Sequence, residues 1–139
     1  MVQIDDDVIR LIIKEGNVVL VGSVDKDGNP NISPRFVLSI LGNEKLLFAD
    51  VFLNKTSANV KAWPKATIAI LDKNTLGGFQ LKGDVNEVND PALISQATAK
   101  LKELGLNAKP RRVWTLTAME VYSLKPNEKS KVPLYSAYR

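Results

Sequence analysis

Val18-Val19-Leu20-Val21-Gly22-Ser23-Val24, Asp25-Lys26-Asp27-Gly28-Asn29 and Pro30-Asn31-Ile32-Ser33-Pro34-Arg35-Phe36-Val37-Leu38-Ser39-Ile40 are the consecutive runs that decide the fold. The first is dense in β-branched residues, which suit a pleated strand. The second has Asp-Gly at its centre, a dipeptide suited to tight hairpin turns because glycine takes positive φ without steric cost. The third alternates with a period of two: Ile32, Pro34, Phe36, Leu38 and Ile40 point one way, and Asn31, Ser33, Arg35, Val37 and Ser39 the other. Together they predict one antiparallel hairpin.

Working outward, Gly42-Asn43 turns the chain into a third strand over 45–51, so the opening is a meander. Residues 54–62 follow as a short helix with Asn54 or Thr56 as N-cap and Pro64 just beyond its end. Strands over 66–71 and 79–88 flank a glycine-bearing loop. Asp90-Pro91 opens a longer helix that Gly105 stops, with Leu93, Ile94, Ala97, Leu101 and Leu104 along one side. A sixth strand spans 112–124, and an aromatic tail runs to Arg139. Upstream, residues 5–15 form an amphipathic helix with aspartates at its start and Lys14 near its end, as the helix dipole favours. Six strands in mostly hairpin order predict a mainly β chain with minor α, a closed or partly closed antiparallel barrel in a single domain, 1–139. The first and last strands are apolar on both faces, so helices or a second subunit must cover part of the outside.

Composition narrows the chemistry. The chain has 139 residues, 45% of them hydrophobic, with neither cysteine nor histidine. That removes disulfides, thiolate nucleophiles, the imidazole base of a Ser-His-Asp triad, and Cys- or His-ligated metal; no metal site is expected. Any chemistry falls to a bound cofactor. The net charge of +4 is spread along the chain and reads as a solvated surface or as affinity for a small anionic ligand. Aromatics are 6% and sit mostly in apolar alternation, which argues against nucleic acid as a partner. No apolar run reaches the ~20 residues of a membrane-crossing helix. The acidic start is unlike a secretory signal, and a cytoplasmic protein is expected.

Three blocks carry a family resemblance: residues 19–35, with the Asp-Gly turn followed by Ser33-Pro34-Arg35; Leu47-Phe48-Ala49-Asp50 followed by Asn54-Lys55-Thr56-Ser57-Ala58-Asn59; and Phe79-Gln80-Leu81-Lys82-Gly83-Asp84-Val85. In order and spacing the chain resembles the pyridoxamine 5'-phosphate oxidase-like FMN-binding proteins. The resemblance implies a six-stranded antiparallel Greek-key split β-barrel with peripheral helices. It also implies a homodimer with FMN between the subunits. Ser33, Pro34, Arg35, Phe36, Val37, Asp50, Asn54, Lys55, Thr56, Ser57 and Gln80 become the candidate cofactor contacts, with no catalytic residue identified.

The residues suit an FMN phosphate, which is nearly a dianion. Lys55 brings an ammonium, Thr56 and Ser57 hydroxyls, the helix start its N–H groups, and Arg35 a forked guanidinium. At roughly 1.5–3 kcal/mol per charge-assisted hydrogen bond, three or four would be a large share of the binding energy. Against this stand plainer roles: Lys55-Thr56 as a capped helix start, Arg35 in an ion pair, Asp50 at a strand end, Gln80 as exposed strand. The function implied is an FMN-dependent oxidoreductase on a small substrate, with a small-molecule or protein redox partner. A non-catalytic FMN carrier or electron-transfer protein is the alternative, and a deazaflavin in place of FMN stays open. The tail aromatics are candidates to dock on a second subunit near the flavin.

Overall fold

The computed structural model describes residues 1–127 and 131–138; Arg139, the end of the aromatic tail, lies outside them. The elements run α1 (Asp6–Lys14), β1 (Val18–Val24), β2 (Pro30–Phe36), β3 (Ser39–Leu41), β4 (Lys45–Asp50), α2 (Lys55–Ala62), β5 (Lys65–Asp72), β6 (Gly77–Glu87), α3 (Pro91–Glu103), β7 (Arg112–Ser123) and β8 (Tyr135–Ser136). They form one curled antiparallel sheet ordered β2-β1-β5-β6-β7-β4-β3, with β8 beside β7. β4 thus lies against β7 rather than its chain neighbour β5, and α2 spans the gap between them. No helix among the described residues is long and apolar enough to cross a membrane.

Among the described residues the strands number eight rather than six. The run over 30–40 is two strands because the chain changes partners at Val37-Leu38. The Val37 N–H donates to the Asn17 carbonyl at 2.8 Å, and the Leu38 N–H to the Leu47 carbonyl at 2.8 Å. Both side chains are buried, at 2% and 5% exposed, Val37 in the main core and Leu38 in the cluster under α3. The two ends of the sheet, β2 and β3, are therefore joined by covalent chain and not by a ladder. The tail supplies the other extra strand. It pairs with β7 of its own chain and brings the Tyr135 phenol to Asp5, just before α1, whose carboxyl pushes the phenol's pKa up.

Inward positions of the strands build the main core: Val19 and Val21 of β1, Ile68 and Ile70 of β5, Leu81 of β6, Leu116 of β7. Phe48 stacks on Trp114 at 4.5 Å between ring centres. A second cluster joins Ala97 and Leu101 of α3 to Leu38, Leu47 and Val113, so α3 covers the outside of β7 and β4 as the two-sided apolar pattern requires. The outside of β1 has no such cover. Its Val18 and Leu20 are 40% and 39% exposed.

The register of β6 against β7 shifts between Lys82 and Gly83. A Cβ on Gly83 would collide with the Thr117 carbonyl oxygen, so this bulge admits only glycine. Gly83→Ala is expected to cost about 3 kcal/mol, as overpacking against backbone does, and to lower the thermal midpoint accordingly. A melting curve matching the wild type would refute the reading.

Candidate functional site

The alternation in β2 is oriented opposite to that of a simple barrel strand. Ile32 is 65% exposed and Phe36 37%, whereas Asn31, Ser33 and Arg35 lie half-buried on the opposite face. α2 imposes this. The Thr56 hydroxyl, 1% exposed, meets the Ser33 hydroxyl at 2.6 Å and accepts from the Asn31 amide at 3.0 Å. One turn on, the Asn59 amide donates to the Ser23 hydroxyl of β1 at 3.1 Å. The Lys-Thr-x-x-Asn motif thus uses its Thr and Asn, three apart on one helix face, to clamp α2 to the sheet.

The helix start is capped from within. Asn54 Oδ1 accepts the Ser57 N–H at 3.3 Å, and Ser57 Oγ accepts the Asn54 N–H at 3.4 Å. The Ala58 N–H goes to the Asn54 carbonyl. Of the N–H groups a helix leaves open at its start, those of Lys55 and Thr56 remain for another acceptor. No acidic residue occupies the first turn.

Charge around this start is balanced, contrary to the expected basic cradle. Arg35 donates to Asn54 Oδ1 at 3.0 Å and lies 3.5 Å from Asp50. The Asp50 side chain is fully buried and accepts from the Trp114 indole N–H at 3.3 Å. Lys55, 60% exposed, reaches Asp25 at 3.5 Å. The Asn29 N–H, foremost, holds the Asp25 carboxyl below the usual carboxylate range, aided by the Asn29 amide, the Asp27 N–H and Lys55. Arg35 and Lys55 thus each face a carboxylate, and Arg112, which donates to the Ser57 carbonyl at 2.8 Å, lies 3.5 Å from Glu87. Two buried atoms, Nε of Arg35 and Oδ2 of Asp50, have no hydrogen-bond partner.

The structure therefore brings together Ser33, Arg35, Asp50, Asn54, Lys55, Thr56 and Ser57, while Pro34 and Phe36 face outward beside them. A cavity of about 160 Å³ opens here, bounded by Pro34, Arg35, Phe36, Phe52, Asn54 and Leu101. Val37 does not join the site, since its side chain packs into the core. Gln80 lies apart. It shares a cross-strand row with Pro34 through Leu20 and Ala69, three strand spacings or ~14 Å away. There it lines a groove of about 670 Å³ with Asn31, Ile32, Trp63 and Lys82. Its amide donates to the Thr67 hydroxyl at 3.0 Å.

Asn31, Asp25 and Trp63 belong to these surroundings and were not among the predicted contacts. Asn31 has the parity of Ser33 and Arg35, which was the available signal. Nothing local in the sequence pairs Asp25 with Lys55.

FMN offers a phosphate, a polyol chain and an apolar tricycle. The open N–H groups of Lys55 and Thr56 and the Lys55 ammonium suit the phosphate, and Arg35, with a buried Nε–H left without a partner, stands beside them. Pro34, Phe36 and Phe52 offer apolar surface next to it. The donor set fits the group, although its charge is already met by carboxylates.

An uncharacterized protein of Methanocaldococcus jannaschii, MJ0282, is 26% identical over 127 residues, 90% of this chain and 83% of that protein. Three solved structures share the fold. HupZ of Group A Streptococcus has a TM-score of 0.77 at 21% identity, over 90% of this chain and 97% of that one. An FMN-binding protein of Syntrophomonas wolfei has 0.65 at 18%, over 84% and 88%. HutZ, the heme storage protein of Vibrio cholerae, has 0.63 at 13%, over 87% and 94%. Identities this low speak to fold alone. The family model for pyridoxamine 5'-phosphate oxidase (PNPOx_N) matches residues 5–125, and the chain belongs to that family.

Proposed function

We propose that this chain is an FMN-binding protein that seats the flavin phosphate at the start of α2 and serves flavin-dependent redox chemistry. The observation carrying this is the meeting of Arg35, Asn54, Lys55 and Thr56 at a helix start free of acidic residues. In this reading Arg35 and Lys55 take phosphate oxygens. Lys55 swings from Asp25 to do so, which its exposed position allows. Pro34 and Phe36 shield one side of the ring system from water. Bound flavin supplies the hydride and electron transfer that the side chains cannot. An FMN-dependent oxidoreductase acting on a small substrate is the first form of the proposal; a non-catalytic carrier or electron-transfer protein is the second. Steady-state turnover with reduced nicotinamides separates them.

The similarity to HutZ raises haem as a rival ligand. The chain has no histidine and no cysteine, so the common imidazole and thiolate ligands of haem iron are lacking, and the flavin is favoured.

We also propose a homodimer. Leu20, Ile32, Phe36 and Trp63 expose 39%, 65%, 37% and 55% of their surface around one sheet face, an apolar area that a second copy would cover. Gln80, out of reach of the Arg35 site on its own chain, would then be available to a flavin held by the other copy.

Titration with FMN, followed by quenching of flavin fluorescence, is expected to saturate at micromolar concentration or below. A protein that neither purifies with a flavin nor binds added FMN would end the proposal. Lys55→Ala is expected to weaken FMN about tenfold, the lower end of a charge-assisted hydrogen bond because Asp25 competes, with the melting temperature unchanged. Unaltered affinity would displace Lys55 from the site. Ile32→Asp is expected to yield monomers in analytical ultracentrifugation; a wild type already monomeric at tens of micromolar, as judged by the same method, would refute the dimer.

A further inference from the structure

We infer that Asp50 limits how tightly the flavin phosphate is held, by competing for Arg35 from inside the protein. The inference rests on the FMN reading and adds a determinant of the phosphate's contribution. Arg35 has a side chain only 16% exposed, and a cation so placed needs a counter-charge. Asp50 supplies it, with a side chain fully buried, 3.5 Å away.

The pair is not a fork. A carboxylate that served to aim the guanidinium would accept two parallel N–H bonds. Here Arg35 Nε and Asp50 Oδ2 are both buried and both lack a partner. Asp50 therefore offsets the charge of Arg35 without saturating its donors. An arriving phosphate meets a cation whose charge is already countered and whose Nε–H lies buried.

Asp50 cannot step aside. Its Oδ1 is held at 3.3 Å by the Trp114 indole N–H, and Trp114 is 1% exposed and stacked on Phe48. Asp25 differs, because its partner Lys55 is an exposed, flexible side chain free to leave. The counter-charge on Arg35 is thus permanent, and that on Lys55 removable. Consequently Arg35 adds little to the hold on the phosphate, and the preference for FMN over riboflavin comes mainly from Lys55 and the open N–H groups of the helix start.

Asp50→Asn tests this, since it removes the charge and keeps an oxygen for Trp114. The variant is expected to bind FMN about tenfold more tightly while riboflavin affinity stays within about twofold. Inorganic phosphate is expected to raise its melting temperature more than that of the wild type. The doubly neutral Arg35→Gln/Asp50→Asn chain is expected to lose that gain, binding FMN about tenfold more weakly than Asp50→Asn alone, because Asp50 acts through Arg35. Any of three results would overturn the inference: a folded Asp50→Asn protein with an unchanged or smaller FMN-to-riboflavin preference, an equal response of wild type and variant to phosphate, or a double variant that binds FMN as tightly as Asp50→Asn. A wild type that binds neither flavin sinks the FMN reading instead, and the phosphate melts still decide the role of Asp50.

Discussion

The Thr56 hydroxyl, buried against β2 and shared with Ser33 and Asn31, is the contact on which the rest of the structure depends. A strand shows its two faces by parity, so fixing one polar residue toward α2 fixes all of them. Once Ser33 faces the helix, Asn31 and Arg35 must follow, and Ile32, Pro34 and Phe36 must face away. The exposed apolar row and the assembly of Arg35 with Asn54 are then two results of one hydrogen-bonding decision. Buried hydroxyls left without partners are costly, which gives the helix a strong reason to sit where it does.

Electrostatics at the helix start follow a different logic from tight phosphate sites that rely on uncompensated cations. Arg35 and Lys55 each have their own acid, one buried and one on a turn. Such a pair gains little stability over an apolar substitute, since desolvation opposes the attraction. Its persistence is better understood through what it does to a ligand than through what it does for the fold. Backbone N–H groups bind without net charge, so in the proposed reading the geometry of a phosphate would be recognised while long-range attraction is muted.

The hairpin, the helices and the later strands were legible because each rests on local signals: Asp-Gly at 27–28, Asn54 before α2, Asp90-Pro91 before α3. The cluster at α2 was legible for the same reason, its members lying in two short blocks. What escaped the sequence was set by tertiary choice. Val37-Leu38 continues the alternation of β2, and only the exchange of partners from β1 to β4 shows that one strand has become two. The direction of the apolar row could not be read from parity alone, because parity separates faces without saying which is inside. The pairing of Lys55 with Asp25, and of Arg35 with Asp50, joins residues from different elements that no spacing rule connects.

The junction between β2 and β3 has a mechanical side. A fully laddered ring resists widening with every inter-strand bond in it, whereas here two single bonds, to Asn17 and to Leu47, flank a covalent joint. Dilation of the rim is cheapest along that seam, and Arg35 stands one residue before Phe36, at its edge. Breathing of the ring would accordingly be felt first at the guanidinium.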